Sequence, residues 1–141
     1  MSAKVSVLTT TYNHERYIGQ AMDSVLAQQT NFPWEQIIGE DCSTDGTRPI
    51  VESYQRRHPD QIKPILRERN VGRRQNFLEA FRLCQGQYIA ILEGDDYWTV
   101  PHKLQQQVDF LDAHPDHAIC FHAVEARDEA GVQALKVVRA D

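Results

Sequence analysis

Hydrophobic and polar positions alternate between two kinds of pattern along the chain, which predicts strands and helices in turn. Apolar runs of the strand type lie at residues 4–10, 34–39, 62–67, 88–92 and 118–124. Apolar residues repeat with helical spacing at 14–29, 49–57, 73–85 and 102–114. The linkers are mostly short, and the order is β-α-β-α-β-α-β-α-β. This order predicts a mainly parallel central sheet with helices on both faces, a three-layer α/β/α sandwich.

Several local sequence features refine this outline. Asn13 is a candidate N-cap for the first helix, and Pro64 favours an edge position for the third strand because proline lacks a backbone N–H. Residues 88–92 carry no charge, which predicts a strand that is covered on both faces. Gly131 is a candidate hairpin turn into residues 132–138.

The composition is that of a globular protein, and no linker divides the chain, so we interpret residues 1–141 as a single domain. Fifteen basic and 20 acidic residues give a net charge of -5, which does not favour nucleic-acid binding. No apolar stretch reaches the ~20 residues of a membrane span. Three widely spaced cysteines favour a reducing, cytoplasmic compartment. We interpret His14, His102 and His114 as surface residues and His122 as a core residue.

A cluster of acidic residues directly follows the fourth predicted strand. Glu93, Asp95 and Asp96 lie within four residues, and Gly94 allows the backbone to turn sharply or to approach a ligand closely. Such a cluster is tolerated when it is solvated, when part of it is protonated or when a cation neutralises it. Its oxygen ligands suit Mg²⁺ or Mn²⁺ rather than zinc. The cluster is either a solvated turn or a metal site, and its place at a strand end favours the metal site.

Two other strand ends carry suggestive side chains, Tyr12 after the first strand and Asp41 after the second. Because the carboxyl ends of parallel strands share one edge, both are expected to meet the acidic cluster over a single crevice. Tyr12 suits the flank of a base, Asp41 suits a base N–H, and Arg73 suits a diphosphate at a helix N-terminus. Structural alternatives stay open. Tyr12 could be a half-buried aromatic residue, Asp41 could cap the turn at 43–46, and Arg73 could be a solvated helix start.

Five pieces of sequence, spread over nearly the whole chain, resemble the inverting glycosyltransferases of family two in their order and spacing. These pieces are VSVLTTTYN at 5–13, SVLAQ at 24–28, EDCSTDGT at 40–47, NVG at 70–72 and EGDD at 93–96. Each piece alone is common, but five in register are a specific pattern. The resemblance implies the GT-A fold, which is the Rossmann-like fold of nucleotide-diphospho-sugar transferases.

The resemblance also implies a nucleotide-diphosphate sugar donor, often one that carries uridine. In the family, the aromatic residue after the first strand and the acid after the second strand hold the base. These positions fall on Tyr12 and Asp41, and Thr10 lies beside them at the strand end. The sugar donor and the base contacts are therefore expectations from the family.

The acidic motif of the family binds the ribose and the divalent metal. It falls here on Asp95 and Asp96, with Glu93 as its outer member. The implied metal, Mn²⁺ or Mg²⁺, bridges the diphosphate oxygens and stabilises the leaving nucleoside diphosphate as a Lewis acid. A base deprotonates an acceptor hydroxyl, which attacks the anomeric carbon and inverts it.

The chain departs from the family pattern at three positions. Glu93 stands where aspartate is common, so its longer side chain is expected to reach the metal through water. Glu40 and Cys42 replace the usual aspartate and glycine of the turn after the second strand. A non-glycine at position 42 predicts that the backbone there needs no positive φ.

Family members are usually much longer, so the catalytic base and the acceptor-binding part are expected beyond residue 141. The chain is then a donor-binding region, truncated before the acceptor-binding segment. The implied acceptor is a saccharide or lipid-linked saccharide of cell-surface polysaccharide synthesis, and we expect peripheral membrane association at the inner face through the missing segment. The alternative is a non-catalytic nucleotide-sugar-binding module. A nucleotidyltransferase needs a Gly-rich basic loop after the first strand, and a phospho-receiver needs an acid pair there; neither is present.

Overall fold

The computed structural model describes residues 2–128, 130 and 133–134. Its elements are β1 (Val5–Thr11), α1 (Ile18–Leu26), β2 (Trp34–Glu40), α2 (Thr47–Arg57), β3 (Ile62–Leu66), α3 (Arg73–Leu83), β4 (Tyr88–Ile91), α4 (Lys103–Ala113), β5 (Ala126–Arg127) and β6 (Gln133–Ala134). The first four strands form one parallel sheet in the order β3-β2-β1-β4. The predicted mainly parallel α/β architecture is confirmed. None of the described helices is long and apolar enough to span a membrane.

Two compact units meet in the chain between Gln106 and Gln107. The first unit contains the parallel sheet, α1 to α3 and the beginning of α4, and all contacts of the candidate site below lie within it. The second unit contains the rest of α4 and the antiparallel pair of β5 and β6. The interpretation as a single domain stays a prediction.

Hydrophobic clusters cover both faces of the parallel sheet. One cluster joins α1 and α2 to β2 and β3 through Ile18, Met22, Ile38, Val51, Tyr54 and Ile62. The other cluster joins α3 to β1 and β2 through Leu8, Ile37 and Ala80. Ile37 and Ile38 are neighbours in β2 and serve opposite clusters, because successive side chains of a strand point to opposite faces. The sheet is therefore the middle layer of three.

The burial of β4 differs from the prediction. The uncharged run at 88–92 predicts a strand covered on both faces, but β4 ends at Ile91 and no residue within it is fully buried. Ile91 is 54% exposed, and β4 pairs on one side only, with β1, so it forms an edge of the described sheet. All seven residues of β1, which pairs on both sides, are buried. The strand β3 forms the other edge, as Pro64 predicts.

The predicted fifth strand is wrong. Residues 118–124 form no strand, and the large apolar side chains among them are exposed. His122 is exposed too and is not the core residue that the sequence predicts. A strand needs a partner for its backbone groups, and no described strand pairs with this run. The strands β5 and β6 pair antiparallel as a predicted hairpin would, but Gly131 lies outside the described residues.

A buried acid ties together the N-terminal ends of the strands. The carboxylate of Glu35 accepts hydrogen bonds from Ser6 Oγ at 2.7 Å, Lys63 Nζ at 2.6 Å and the backbone N–H of Gln85 at 3.0 Å. Burial works to raise the pKa of Glu35, but the bonds from Lys63, Ser6 and Gln85 outweigh it and lower the pKa. The ionised carboxylate is thus the form that the folded protein stabilises.

Hydrogen bonds also tie the segment after β4 to the end of α1. The hydroxyl of Ser24 accepts the backbone N–H of Trp98 at 3.1 Å. The side chain of Gln28 donates to the carbonyl of Val100 at 2.9 Å and accepts the N–H of Leu104 at 3.0 Å. Both Gln28 and Trp98 are buried. These bonds fix the far end of the loop that carries the acidic cluster.

Candidate functional site

The loops after β1, β2 and β4 meet at the C-terminal edge of the parallel sheet, where they border an open cavity of about 370 Å³. Its lining residues are Thr10, Thr11, Tyr12, His14, Asp41, Asn70, Gly72, Arg73, Asn76, Glu93 and Asp95. They include every residue that the sequence predicts for nucleotide-sugar binding, namely Thr10, Tyr12, Asp41, Arg73 and Asp95. Of the predicted metal ligands, Glu93 and Asp95 line the cavity, and Asp96 follows them in the chain.

The loop after β1 is held by the loop after β2. Tyr12 leaves β1 with its side chain 43% exposed. Asn13 has a left-handed backbone with a φ of 53°, and its side-chain oxygen accepts the N–H of Thr44 at 2.8 Å. Asn13 is therefore not the predicted N-cap: α1 begins at Ile18, after Tyr17, because the Asn13 side chain is engaged by the neighbouring loop.

Asp41 anchors the turn that precedes α3. It is 2% exposed, and its carboxylate accepts the N–H groups of Val71 at 2.8 Å and Gly72 at 3.0 Å. Its carbonyl accepts the side-chain amide of Asn70 at 3.0 Å. Asp41 thus holds the turn at 70–72. Because a carboxylate has about four acceptor positions, Asp41 can accept a further hydrogen bond from a ligand.

A partly buried ion pair supports the loop after β2. Glu40 has no exposed surface, pairs with Arg48 Nε at 2.5 Å and accepts the N–H of Ser43 at 2.7 Å. Arg48 also donates to the carbonyl of Arg67. Cys42 has a φ of 59°, so the prediction that this position needs no positive φ is wrong. The hydrogen bonds of its neighbours on either side hold the backbone in this conformation.

Asn76 of α3 lies behind the cavity and is 2% exposed. Its amide donates to the carbonyl of Gly39 at 2.8 Å, and its oxygen accepts Arg67 Nε at 2.8 Å. Arg67 also pairs with Glu79. These bonds join the end of β2, the residue after β3 and the start of α3 in one network, which holds the wall of the cavity in place.

Glu93 begins the acidic turn, and its carboxylate is engaged within the protein. The hydroxyl of Thr10 donates to Glu93 Oε2 at 2.6 Å, and the N–H of Gly94 donates to the carbonyl of Thr10 at 3.0 Å. Arg73 Nη2 lies 3.7 Å from Glu93 Oε1, and the Arg73 side chain is 84% exposed. So exposed an ion pair contributes little to stability, and Arg73 can turn to an anionic ligand.

The middle of the acidic turn packs closely against the end of β1. A Cβ atom at Gly94 would lie 2.6 Å from Thr11 Oγ1 and 2.8 Å from His14 Nδ1, so glycine is needed here. His14 Nδ1 lies 3.0 Å from Thr11 Oγ1, and His14 Nε2 lies 3.8 Å from Asp95 Oδ2. The sequence predicts His14 as a surface residue, and the structure shows its side chain 23% exposed at the cavity.

The acidic turn concentrates negative charge at the cavity. Desolvation raises the pKa of Asp96, the carboxylates of Asp95 and Glu93 raise it further, and His14 works to lower it. The oxygen donors fit Mg²⁺ or Mn²⁺. Among the described residues, however, no group of three or more His, Cys, Asp or Glu side chains is arranged to hold a metal. The turn therefore fits a cation that one or two carboxylates hold together with oxygens of a ligand.

His14 and Asn76 line the cavity, although the sequence predictions above give neither of them a functional role. His14 lies in a loop at a strand end, which was a sufficient reason to consider it beside Tyr12. Asn76 lies four residues before the buried Ala80 and so on the core face of α3. An amide on an apolar helix face needs a polar partner, and this requirement could have revealed the network behind the cavity.

Comparison with known protein families gives one clear match. The family model described as Glycosyl transferase family 2 matches residues 6–136. The uncharacterized protein Rv1520 of Mycobacterium tuberculosis is 45% identical over 129 residues, which are 92% of this chain and 37% of the relative. This chain therefore spans little more than a third of the length of that relative.

Two solved structures resemble this chain as well. S. aureus TarS 1–349 in complex with UDP-GlcNAc is 33% identical with a TM-score of 0.70, over 79% of this chain and 32% of TarS 1–349. The mannosyltransferase PcManGT of Pyrobaculum calidifontis, in complex with GDP-Man and Mn²⁺, is 26% identical with a TM-score of 0.66, over 79% of this chain and 33% of PcManGT. Both cover a similar share of this chain.

Proposed function

The chain belongs to glycosyl transferase family 2, and from this premise we propose that its cavity binds a nucleotide-diphosphate sugar, specifically a UDP-linked one. The observation that carries the proposal is the cavity of about 370 Å³, which is lined by side chains from the ends of β1 and β2, the start of α3 and the acidic turn. A related transferase that binds UDP-GlcNAc is more similar in sequence than one that binds GDP-Man, which favours uridine.

The base end of the donor lies between Tyr12 and Asp41 in this proposal. The exposed ring of Tyr12 offers an apolar face for a flat base. The carboxylate of Asp41 is fixed by Val71 and Gly72, so its remaining acceptor positions have a defined direction. The uracil N–H is a donor of the kind that this carboxylate would accept. Thr10 lies beside them.

The diphosphate end lies over the acidic turn. Asp95 is assigned to the ribose and to the metal, Asp96 to the metal, and Glu93 to an outer position that reaches the metal through water. The bond from Thr10 to Glu93 is consistent with this outer position, since it occupies one carboxylate oxygen. The metal, Mn²⁺ or Mg²⁺, supplies a Lewis acid that stabilises the leaving diphosphate. Arg73 adds a positive charge beside that group.

Transfer is proposed for the whole protein. The sugar passes to an acceptor hydroxyl of a saccharide or lipid-linked saccharide, with inversion at the anomeric carbon, and a segment after residue 141 supplies the base. The process belongs to cell-surface polysaccharide synthesis on the cytoplasmic side of the membrane, with peripheral association. What this chain contributes in this proposal is donor binding and orientation of the nucleotide.

Calorimetric titration of UDP tests the donor site. The titration is made with and without Mn²⁺ on the wild type, on Asp96→Ala and on Asp60→Ala, a matched control because Asp60 is exposed and does not line the cavity. We expect Mn²⁺-dependent binding to the wild type and the control, and binding at least about tenfold weaker in Asp96→Ala, as for the loss of a metal contact.

Two results would contradict the proposal. One is the absence of UDP binding under both conditions, and the other is binding that Asp96→Ala leaves intact. A preference for GDP over UDP would change the proposed base of the donor but would leave the proposed binding site unchanged. If the longer protein binds the donor but neither transfers nor hydrolyses it, the non-catalytic module becomes the better description.

A further inference from the structure

His14 is placed beside the acidic turn with one ring nitrogen held and the other directed to a carboxylate. Its Nδ1 lies 3.0 Å from Thr11 Oγ1, a hydrogen-bond distance. Its Nε2 lies 3.8 Å from Asp95 Oδ2, which is too long for a hydrogen bond. The His14 backbone N–H donates to Thr47 Oγ1 at 2.9 Å, so the residue is anchored from two sides.

The contact with Thr11 is compatible with the tautomer of the His14 ring that metal binding at Nε2 requires. If Nδ1–H donates to the Thr11 hydroxyl, then Nε2 carries the lone pair and faces Asp95. Metal-bound histidines almost always donate their other N–H to a fixed oxygen in this way. The close approach of Gly94 to both Thr11 and His14 keeps this pair against the turn.

We propose that His14 Nε2 is a ligand of the divalent metal, together with Asp95. The inference rests on the proposed donor site and adds a nitrogen ligand to it. The separation of 3.8 Å is shorter than two metal–ligand bonds of about 2.0–2.1 Å placed end to end, so one cation can reach both atoms. A neutral imidazole also adds a ligand without adding a further negative charge to the turn.

A nitrogen ligand changes which metal the site prefers. Mg²⁺ is a hard cation that keeps oxygen ligands and water, whereas imidazole binds later divalent metals more readily. The oxygen ligands of the turn alone leave Mn²⁺ and Mg²⁺ open. With His14 included, the site takes Mn²⁺ in preference to Mg²⁺.

Pulsed electron paramagnetic resonance tests this contact directly. Mn²⁺ and UDP are added to this chain, and the spin-echo modulation from nitrogen bound to Mn²⁺ is recorded. Labelling the histidines with ¹⁵N separates a histidine nitrogen from the nitrogens of uracil. We expect a histidine signal in the wild type and in His102→Gln, an exposed control, and no such signal in His14→Gln. Calorimetry should show about tenfold weaker Mn²⁺ binding in His14→Gln, with Mg²⁺ binding nearly unchanged.

The absence of a histidine signal in the wild-type spectrum would overturn the proposal even if His14→Gln does not fold. Thr11→Val provides a second variant, because valine keeps the shape but removes the oxygen that holds Nδ1, and the preference for Mn²⁺ should fall. UDP and Mn²⁺ binding without histidine coupling would overturn the role of His14 and leave the donor site standing. The absence of any UDP and Mn²⁺ binding would instead contradict the proposed function, and the role of His14 with it.

Discussion

Two carboxylates at opposite ends of the parallel sheet, those of Glu35 and Asp96, have opposite surroundings. At the N-terminal edge, Glu35 is 3% exposed and receives hydrogen bonds from a lysine, a serine and a backbone N–H. Its pKa is lowered in spite of burial. At the C-terminal edge, Asp96 is an exposed residue, but partial desolvation and the neighbouring carboxylates of Asp95 and Glu93 raise its pKa.

The difference separates a structural acid from a functional one. A buried carboxylate that accepts bonds from a lysine, a serine and a backbone N–H, as Glu35 does, stabilises the fold. Where like charges gather without matching donors, the folded state carries a cost that a bound cation removes. The same residue type at a strand end can therefore serve either purpose, and its hydrogen-bond partners show which one.

The largest expected effect on stability is at the N-terminal edge. Glu35→Gln removes the charge that Lys63 and the Gln85 N–H are bonded to, and it should lower the free energy of unfolding by about 2 kcal/mol. Urea unfolding measures this loss, with the exposed Glu68→Gln as control. A change as small as that of the control would show that Glu35 is not the structural acid described here.

At the C-terminal edge, Asp96→Asn should leave stability nearly unchanged and weaken UDP binding. It removes one of three crowded carboxylates, so the free energy of unfolding should stay within about 0.5 kcal/mol of the wild type or rise. UDP affinity in Mn²⁺ should fall at least about tenfold. Unfolding and titration are measured on the same preparation. A loss of stability without a loss of UDP affinity would show that Asp96 is a structural acid and not a functional one.

The pH dependence should separate the two acids again. The pKa of Glu35 is below its ordinary value of 4.5, so its stabilisation is present above pH 4.5 and is lost as the pH falls through the folded pKa. The deficit of Glu35→Gln should therefore shrink in acid.

The effect of pH on stability has the opposite sign for Asp96, whose pKa lies above its ordinary value of 3.8. Its charged form costs stability above the folded pKa, and the cost disappears as the pH falls through that value. Any stability advantage of Asp96→Asn should exist near neutral pH and vanish in acid. Urea unfolding at about pH 7 and about pH 3.5 checks both signs. Parallel curves for the two variants would contradict the assignment.

The smallest expected effects concern the loops of the C-terminal edge. Cys42 and Asn13 both have positive φ. The Asn13 side chain accepts the N–H of Thr44 at 2.8 Å, whereas the Cys42 thiol, a weak donor, lies 3.6 Å from the carbonyl of Glu68. Cys42→Gly should raise the free energy of unfolding by about 0.5 kcal/mol through relief of the left-handed conformation. Asn13→Gly should lower it by about 0.5–1 kcal/mol, because the bond to Thr44 is lost. Equal effects in thermal unfolding would show that strain alone governs both positions.

The parts of the fold that depend on local pattern could be predicted from the sequence. Helical spacing identified α1 to α4, and Pro64 identified an edge strand. The fifth strand was wrong because an apolar run predicts a strand only if it finds a partner, and pairing is not encoded within the run. The exposure of Ile91 likewise depends on what lies next to β4.

The candidate site, too, could be predicted where it depends on local pattern but not where it depends on long-range contacts. Strand ends indicated Tyr12, Asp41 and the acidic turn, because parallel strands bring their carboxyl ends to one edge. Two features of the site depend on contacts between residues that are far apart in the sequence. The Asp41 carboxylate binds the turn at 70–72, and His14 lies against the acidic turn. No sequence spacing predicts either contact.

Amide chemical shifts measured by nuclear magnetic resonance test most directly the claim that the C-terminal edge binds the donor. UDP and Mg²⁺, which does not broaden the signals, are titrated into ¹⁵N-labelled protein. Shifts should be concentrated at Val71, Gly72 and Gly94, while Gln85 at the opposite edge stays unchanged. Shifts that cluster around Gln85, or no shifts at saturating UDP, would contradict the account.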